Sequence, residues 1–193
     1  MREMPLTDAR QASQSDRFIA VVPAGRRPGA DPLLQWSGMS TKALVPLAGK
    51  PMLQHVIDAL TGSDAISRVA LLTQEPEALL GPRGMPWLGR NARIAVDASS
   101  NSISESLANL MRSGRHALPW LITTADNALL TTELVDTFLT QARASGADLA
   151  VGFVDHATVT SRYPESQRTW LKFRDGWYKS TNLFAIFTPE VEP

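Results

Sequence analysis

A short apolar run, FIAVV from Phe18 to Val22, leads into Pro23, Ala24, Gly25, Arg26, Arg27, Pro28 and Gly29, and Lys42 follows at the head of KALVPLAGKP. A small, glycine-containing turn at the carboxyl end of a buried strand is where α/β sheets bind ligands. Backbone N–H groups in such a turn can form a concave anion nest, and two adjacent arginines with a later lysine add the positive charge that a polyphosphate needs. The chemistry indicated is triphosphate binding; a solvated basic loop is the competing reading.

Asp126 stands just after a second apolar run, WLITT from Trp120 to Thr124. In a parallel sheet that carboxylate lies at the carboxyl edge near the glycine turn, where it can share a hard cation with phosphate oxygens. An Asx-type turn or helix cap before Leu129 is the plainer alternative. Asn101 and Ser102 precede the amphipathic stretch ISESLANLMR and are candidate helix caps. His55, His116 and His156 are far apart in the chain and read as structural or surface residues with no role assigned. Cysteine is absent, which removes disulfides, thiolate zinc sites, iron–sulfur ligation and a cysteine nucleophile. The phosphate-binding P-loop, dinucleotide, serine-hydrolase and zinc-protease signatures do not occur either.

The stretch Lys42 to Leu53, KALVPLAGKPML, resembles almost residue for residue the second half of the opening signature of the MobA-like nucleotidyltransferases of the GT-A fold, P-K-x-L-x-P-x-x-G-x-P-[ML]. The first half of that signature, L-A-G-G-x-G-x-R, is represented by Ala24 and Gly25. Arg26 replaces the second glycine, Pro28 removes a possible N–H donor, and Thr41 stands where a proline usually precedes the lysine, so the chain reads as a divergent member.

The resemblance implies that Lys42 reaches the nucleotide phosphates, that Arg26 or Arg27 neutralises charge developing on pyrophosphate, and that Ala24 and Gly25 contact the nucleotide. It implies Asp126 as a magnesium ligand, and Asn182, in STNLFAI, as a second. Asn101, Ser102 and Ser104 resemble the segment that grips the base, ordinary N-capping being an equal reading. Lys172, with Arg174 and Lys179, would hold a phosphate of the acceptor, or protect an exposed strand edge. The activity implied is attack by a phosphorylated small-molecule acceptor on the α-phosphorus of a nucleoside triphosphate, with magnesium bridging phosphate oxygens and pyrophosphate leaving. Family habit favours cytidine or guanosine triphosphate.

The elements that must position these residues alternate along the chain. Strands are predicted at 18–22, 66–73, 93–96, 120–124 and 148–154, and helices over PMLQHVIDAL, 103–112 and 132–144. Residues 26–41 read as a long loop and 81–89 as an irregular connection. Two late strands, 169–173 and 182–187, joined across Asp175 and Gly176, read as an antiparallel addition. The predicted fold is a three-layer α/β/α arrangement around a mostly parallel, Rossmann-like sheet.

Composition narrows the partners. Nineteen Lys plus Arg balance nineteen Asp plus Glu in 193 residues, which leaves no basic excess for nucleic acid or an anionic membrane surface. No stretch approaches the roughly 20 apolar residues of a membrane span. Cytoplasmic is the default compartment, and the Arg- and Ala-rich composition suggests a bacterial gene. Residues 1–17 are expected to form a flexible leader and 18–193 one domain. With no closing helix after Pro189 and Pro193, the sequence is expected to be a fragment that lacks a sheet-covering or dimerising element; a homodimer is a separate expectation. Two rivals remain: a GT-A glycosyltransferase, for which the usual D-x-D is missing, and a non-catalytic nucleotide-sensing module, motivated by the substituted first loop.

Overall fold

The computed structural model describes residues 16–25, 29, 31–165 and 169–191, so most of the expected leader, together with Arg26 and Arg27, lies outside the described residues. β1 (Phe18–Pro23) occupies the middle of the sheet. Phe18, Ala20, Val21 and Val22 are wholly buried, and burial on both faces explains a continuous apolar run in place of an alternating one.

The stretch 26–41, expected as a loop, contains the short helix α1 (Pro32–Ser37), capped by Asp31 and stopped at Gly38, whose φ is 67°. A helix of six residues with none of them buried carries no periodic stripe, which is why pattern alone does not show it. After a 3-10 turn at Lys42–Leu44, β2 (Pro46–Leu47) and β3 (Lys50–Pro51) form a small hairpin. Its turn residues Ala48 and Gly49 have φ values of 47° and 82°, the left-handed pair that matches the twist of a two-residue hairpin. α2 (Met52–Thr61) buries Leu53, Val56, Ile57 and Leu60. His55, on the same helix, donates from Nε2 to the Leu47 carbonyl at 2.8 Å and so ties the hairpin to α2.

β4 (Ile66–Thr73) has the predicted bounds. The connection that follows is less irregular than expected, with α3 (Pro76–Leu80) and a 3-10 turn at Pro86–Arg90 burying Leu79 and Leu88. Then come β5 (Ile94–Ala98), α4 (Ile103–Ser113), β6 (Trp120–Ile122), α5 (Thr132–Ser145) and β7 (Leu149–Asp155). α6 (His156–Arg162) is a further helix not foreseen, again with no buried residue. The late hairpin consists of β8 (Leu171–Lys172) and β9 (Trp177–Ile186). β9 starts earlier than expected because its first residues are only partly buried and form no apolar run.

The main sheet has the order β5-β4-β1-β6-β9-β7, with β8 added on β9. β5, β4, β1 and β6 pair in parallel, whereas β9 is antiparallel to both β6 and β7. α2 and α5 cover one face through Leu53, Val56, Val135 and Leu139, and α4 covers part of the other through Leu107, Leu110 and Met111 against Val21, Leu72 and Trp120. The α/β expectation of a mostly parallel sheet with a late antiparallel strand is therefore realised. Among the described residues no helix is long and apolar enough to cross a membrane.

Leu121 of β6 is fully buried within the larger cluster. Leu121→Ala is expected to destabilise the fold by about 2–5 kcal/mol, read as a lower urea midpoint at unchanged m-value.

Candidate active site

The strands do not end together with their hydrogen bonds. Beyond β6, Thr123 N–H donates to the Val21 carbonyl at 3.2 Å and Ala125 N–H to the Pro23 carbonyl at 3.1 Å. On the other side, Ala24 N–H donates to the Leu72 carbonyl at 2.8 Å, and Ser99 N–H to the Thr73 carbonyl at 3.0 Å. These bonds align the segments following β5, β4, β1 and β6 along one carboxyl edge. Asp126 is thereby set beside the turn formed by Ala24 and Gly25.

A cavity of about 830 Å³ opens along that edge. Of the residues singled out from sequence, Ala24, Gly25, Lys42, Asn101, Ser102 and Asp126 line it together. Ser104 is exposed on α4 and Lys172 is exposed on β8, and neither lines the cavity. Asn182 is also outside the lining. It lies in an irregularity of β9, where the pairing with β7 shifts between Val151↔Phe184 and Phe153↔Ser180. There its φ is 57°, a left-handed conformation that asparagine tolerates better than most residues. Bulges of this kind re-aim a side chain and recur beside active sites.

Lys42 is carried by a firm support. Thr41 Oγ1 accepts from Ala43 N–H at 3.4 Å to cap the 3-10 turn, and Ala43, Leu44 and Val45 behind the lysine are buried. The Lys42 ammonium meets the Asp31 carboxylate at 2.7 Å. That hydrogen bond holds the Asp31 carboxyl below the usual carboxylate range, with desolvation opposing it and the Leu33 N–H reinforcing it.

The opposite wall depends on two residues that sequence reasoning missed. Ser106, buried inside α4, accepts from Ser100 N–H at 2.9 Å and donates to the Ser102 carbonyl at 2.7 Å, with Ser99 Oγ at 3.1 Å. It lies on the inward face of α4 with Leu107 and Leu110, and a serine at such a position was the available signal. Gln74 Nε2 donates to the Ser100 carbonyl at 2.9 Å, and its amide fills the space a side chain on Gly25 would need. Gly25 thus lets the first loop and the 99–102 segment approach closely. Ser102 itself caps α4, accepting from Glu105 N–H at 3.1 Å, so it is both a helix cap and a cavity residue.

Oxygen donors gather near Asp126. Among the described residues, Thr124 Oγ1 is buried without a hydrogen-bond partner, and Thr124 lines the cavity. Asn127 Nδ2 donates to Thr123 Oγ1 at 3.1 Å and to the Thr181 carbonyl at 3.3 Å, joining the Asp126 turn to β9 one residue before Asn182. Among the described residues no three His, Cys, Asp or Glu side chains converge as a metal cluster.

None of the histidines is in the cavity. His116 is buried and its Nε2 meets Asp97 Oδ2 at 2.8 Å, while His156 lies against Trp170 with ring centroids 4.7 Å apart and planes tilted by 58°. Ser106→Ala should leave the Ser100 N–H without its partner and cost about 1–3 kcal/mol. Amide exchange at Ser100 should accelerate beyond the change seen in β1.

The sequence matches the MobA-like NTP transferase domain family over residues 13–165. A 2-C-methyl-D-erythritol 4-phosphate cytidylyltransferase of Ralstonia nicotianae is 31% identical over 148 residues, covering 72% of this chain and 55% of the relative. The chain thus spans little more than half the length of that curated relative. A hypothetical transferase from Thermus thermophilus superposes with a TM-score of 0.66 at 27% identity, over 89% of this chain and 65% of the other. The 4-diphosphocytidyl-2C-methyl-D-erythritol synthase of Anaerococcus prevotii shares the fold, with a TM-score of 0.61 at 10% identity over 90% of this chain and 72% of its own. With more than half of its residues inside the family match, this chain belongs to the MobA-like NTP transferase domain family.

Proposed function

We propose that the chain transfers a nucleoside monophosphate from a nucleoside triphosphate to a phosphorylated small-molecule acceptor, with release of pyrophosphate. The observation that carries this reading is the convergence of the Ala24–Gly25 turn, Lys42 and Asp126 on one cavity. Similarity to a cytidylyltransferase supports it and makes cytidine triphosphate the first nucleotide to test.

In this reading the triphosphate lies along the carboxyl edge with its phosphates toward Lys42. The wall of Asn101 and Ser102 meets the base. Lys42 stabilises the charge that grows on the departing pyrophosphate, and Arg26 and Arg27 remain candidates for the same task. No protein nucleophile is needed, because the acceptor phosphate attacks directly and the cavity's contribution is positioning. Lys172, outside the cavity lining, is a candidate for holding the acceptor phosphate.

The donor set suits magnesium. Asp126 provides a carboxylate, Asn182 an amide oxygen, and the unpartnered Thr124 hydroxyl lies close in sequence. A magnesium site filled mainly by phosphate oxygens and water needs only one or two protein ligands. When bound, the ion would supply neutralisation of phosphate charge.

The first experiment is thermal shift with each of the four nucleoside triphosphates, with and without magnesium, followed by pyrophosphate release in the presence of phosphorylated acceptors. A magnesium-dependent shift for one nucleotide is expected. Lys42→Ala and Asp126→Ala should each reduce turnover by about 100-fold or more while the melting temperature stays near that of the parent. Near-normal turnover in either variant would sink the site assignment, and nucleotide binding without pyrophosphate release would favour a sensing module.

A further inference from the structure

The Lys42 ammonium, placed to meet phosphate, is already engaged by Asp31 at 2.7 Å, and both residues line the cavity. We propose that Asp31 is a built-in counter-ion that occupies this lysine and is displaced by the incoming triphosphate, so that it sets nucleotide affinity and not the rate of transfer. The inference rests on the triphosphate reading of the cavity.

Three features support it. The pair is accessible, with side-chain exposures of 40% for Lys42 and 27% for Asp31, so a dissolved anion can reach it. The two partners are mounted unequally. Lys42 sits on the buried Ala43, Leu44 and Val45, whereas Asp31 caps α1, none of whose residues is buried. The segment carrying Asp31 is also bracketed by Gly29 and Gly38, both at positive φ (108° and 67°). When the pair separates, Asp31 is therefore the side that yields.

The charges give the direction. Asp31 carries one negative charge, and a triphosphate brings several into the same place, so the nucleotide competes successfully for the lysine. The residual carboxylate then repels the phosphates, and removing its charge should strengthen nucleotide binding. Asp31 also accepts from Leu33 N–H at 3.0 Å as the cap of α1. Asparagine serves equally well as a cap, so Asp31→Asn removes the charge and keeps the helix start.

The test is isothermal titration of the parent chain, Asp31→Asn and Asp31→Glu with the four magnesium nucleoside triphosphates, together with kcat and KM for pyrophosphate release. For the nucleotide that binds the parent, Asp31→Asn should lower Kd and KM by about three- to tenfold with kcat within about twofold, and Asp31→Glu should return affinity toward that of the parent. An unchanged or weaker Kd in Asp31→Asn, or a fall in kcat at constant KM, overturns the counter-ion role while leaving the nucleotide site in place. If neither the parent nor Asp31→Asn binds any of the four nucleotides, the triphosphate reading fails and this inference falls with it.

Discussion

The hydrogen-bond ladder joining β4, β1 and β6 continues past the ends of the strands, and the candidate site depends on that continuation. Buried backbone donors and acceptors must be paired, so the bonds from Ala24, Thr123 and Ala125 to neighbouring carbonyls leave the turns little freedom. Gly25 and Asp126 are adjacent for this reason, although about a hundred residues separate them in the chain. The same edge takes in Ser99 through its bond to Thr73, and Gln74 closes the gap between the first loop and Ser100.

Rigid and loosely held parts line the same cavity. Ser106 fixes the 99–102 segment from within α4, and the hairpin of β2 and β3, clasped by His55, fixes the approach to α2. Lys42 is likewise firmly mounted, on the buried Ala43, Leu44 and Val45. α1 is not, since it packs no buried residue and is joined to Lys42 through a partly exposed ion pair. Such a pair is worth little to stability in water, but it places a negative charge where ligand charge would be decisive.

The antiparallel β9 changes what a simple parallel sheet would offer. Inserted between β6 and β7, it runs back across the carboxyl edge and extends beyond it to pair with β8. Its pairing shift against β7 places Asn182 in a left-handed conformation beside the turn that carries Asp126. Basic residues of the late hairpin, Lys172 and Lys179, are thereby kept on the same molecule side as the strand ends, outside the cavity lining.

Long apolar segments were legible because their pattern is local: the runs at 18–22, 66–73 and 120–124 read as buried strands, the last ending in the structure at Ile122, and the stripes of α2, α4 and α5 require a sheet to cover. KALVPLAGKPML was legible as a family signature running into a helix, whereas its hairpin across Ala48 and Gly49 emerged only in the structure. Short elements such as α1, α3 and α6 were not legible, since five to seven residues cannot carry a periodic signal. Residue types and the family resemblance together singled out Ala24, Gly25, Lys42, Asn101, Ser102 and Asp126, which the fold brings to one cavity. The sequence by itself determined the alternation of strands and helices and the phosphate-suited residues at strand ends. Only the tertiary structure decided that Asp31 pairs with Lys42, that Ser106 and Gln74 hold the opposite wall, and that Ser104, Lys172 and Asn182 stay outside the cavity lining. Those outcomes depend on inter-strand register and side-chain direction, which are set by contacts between residues distant in the chain.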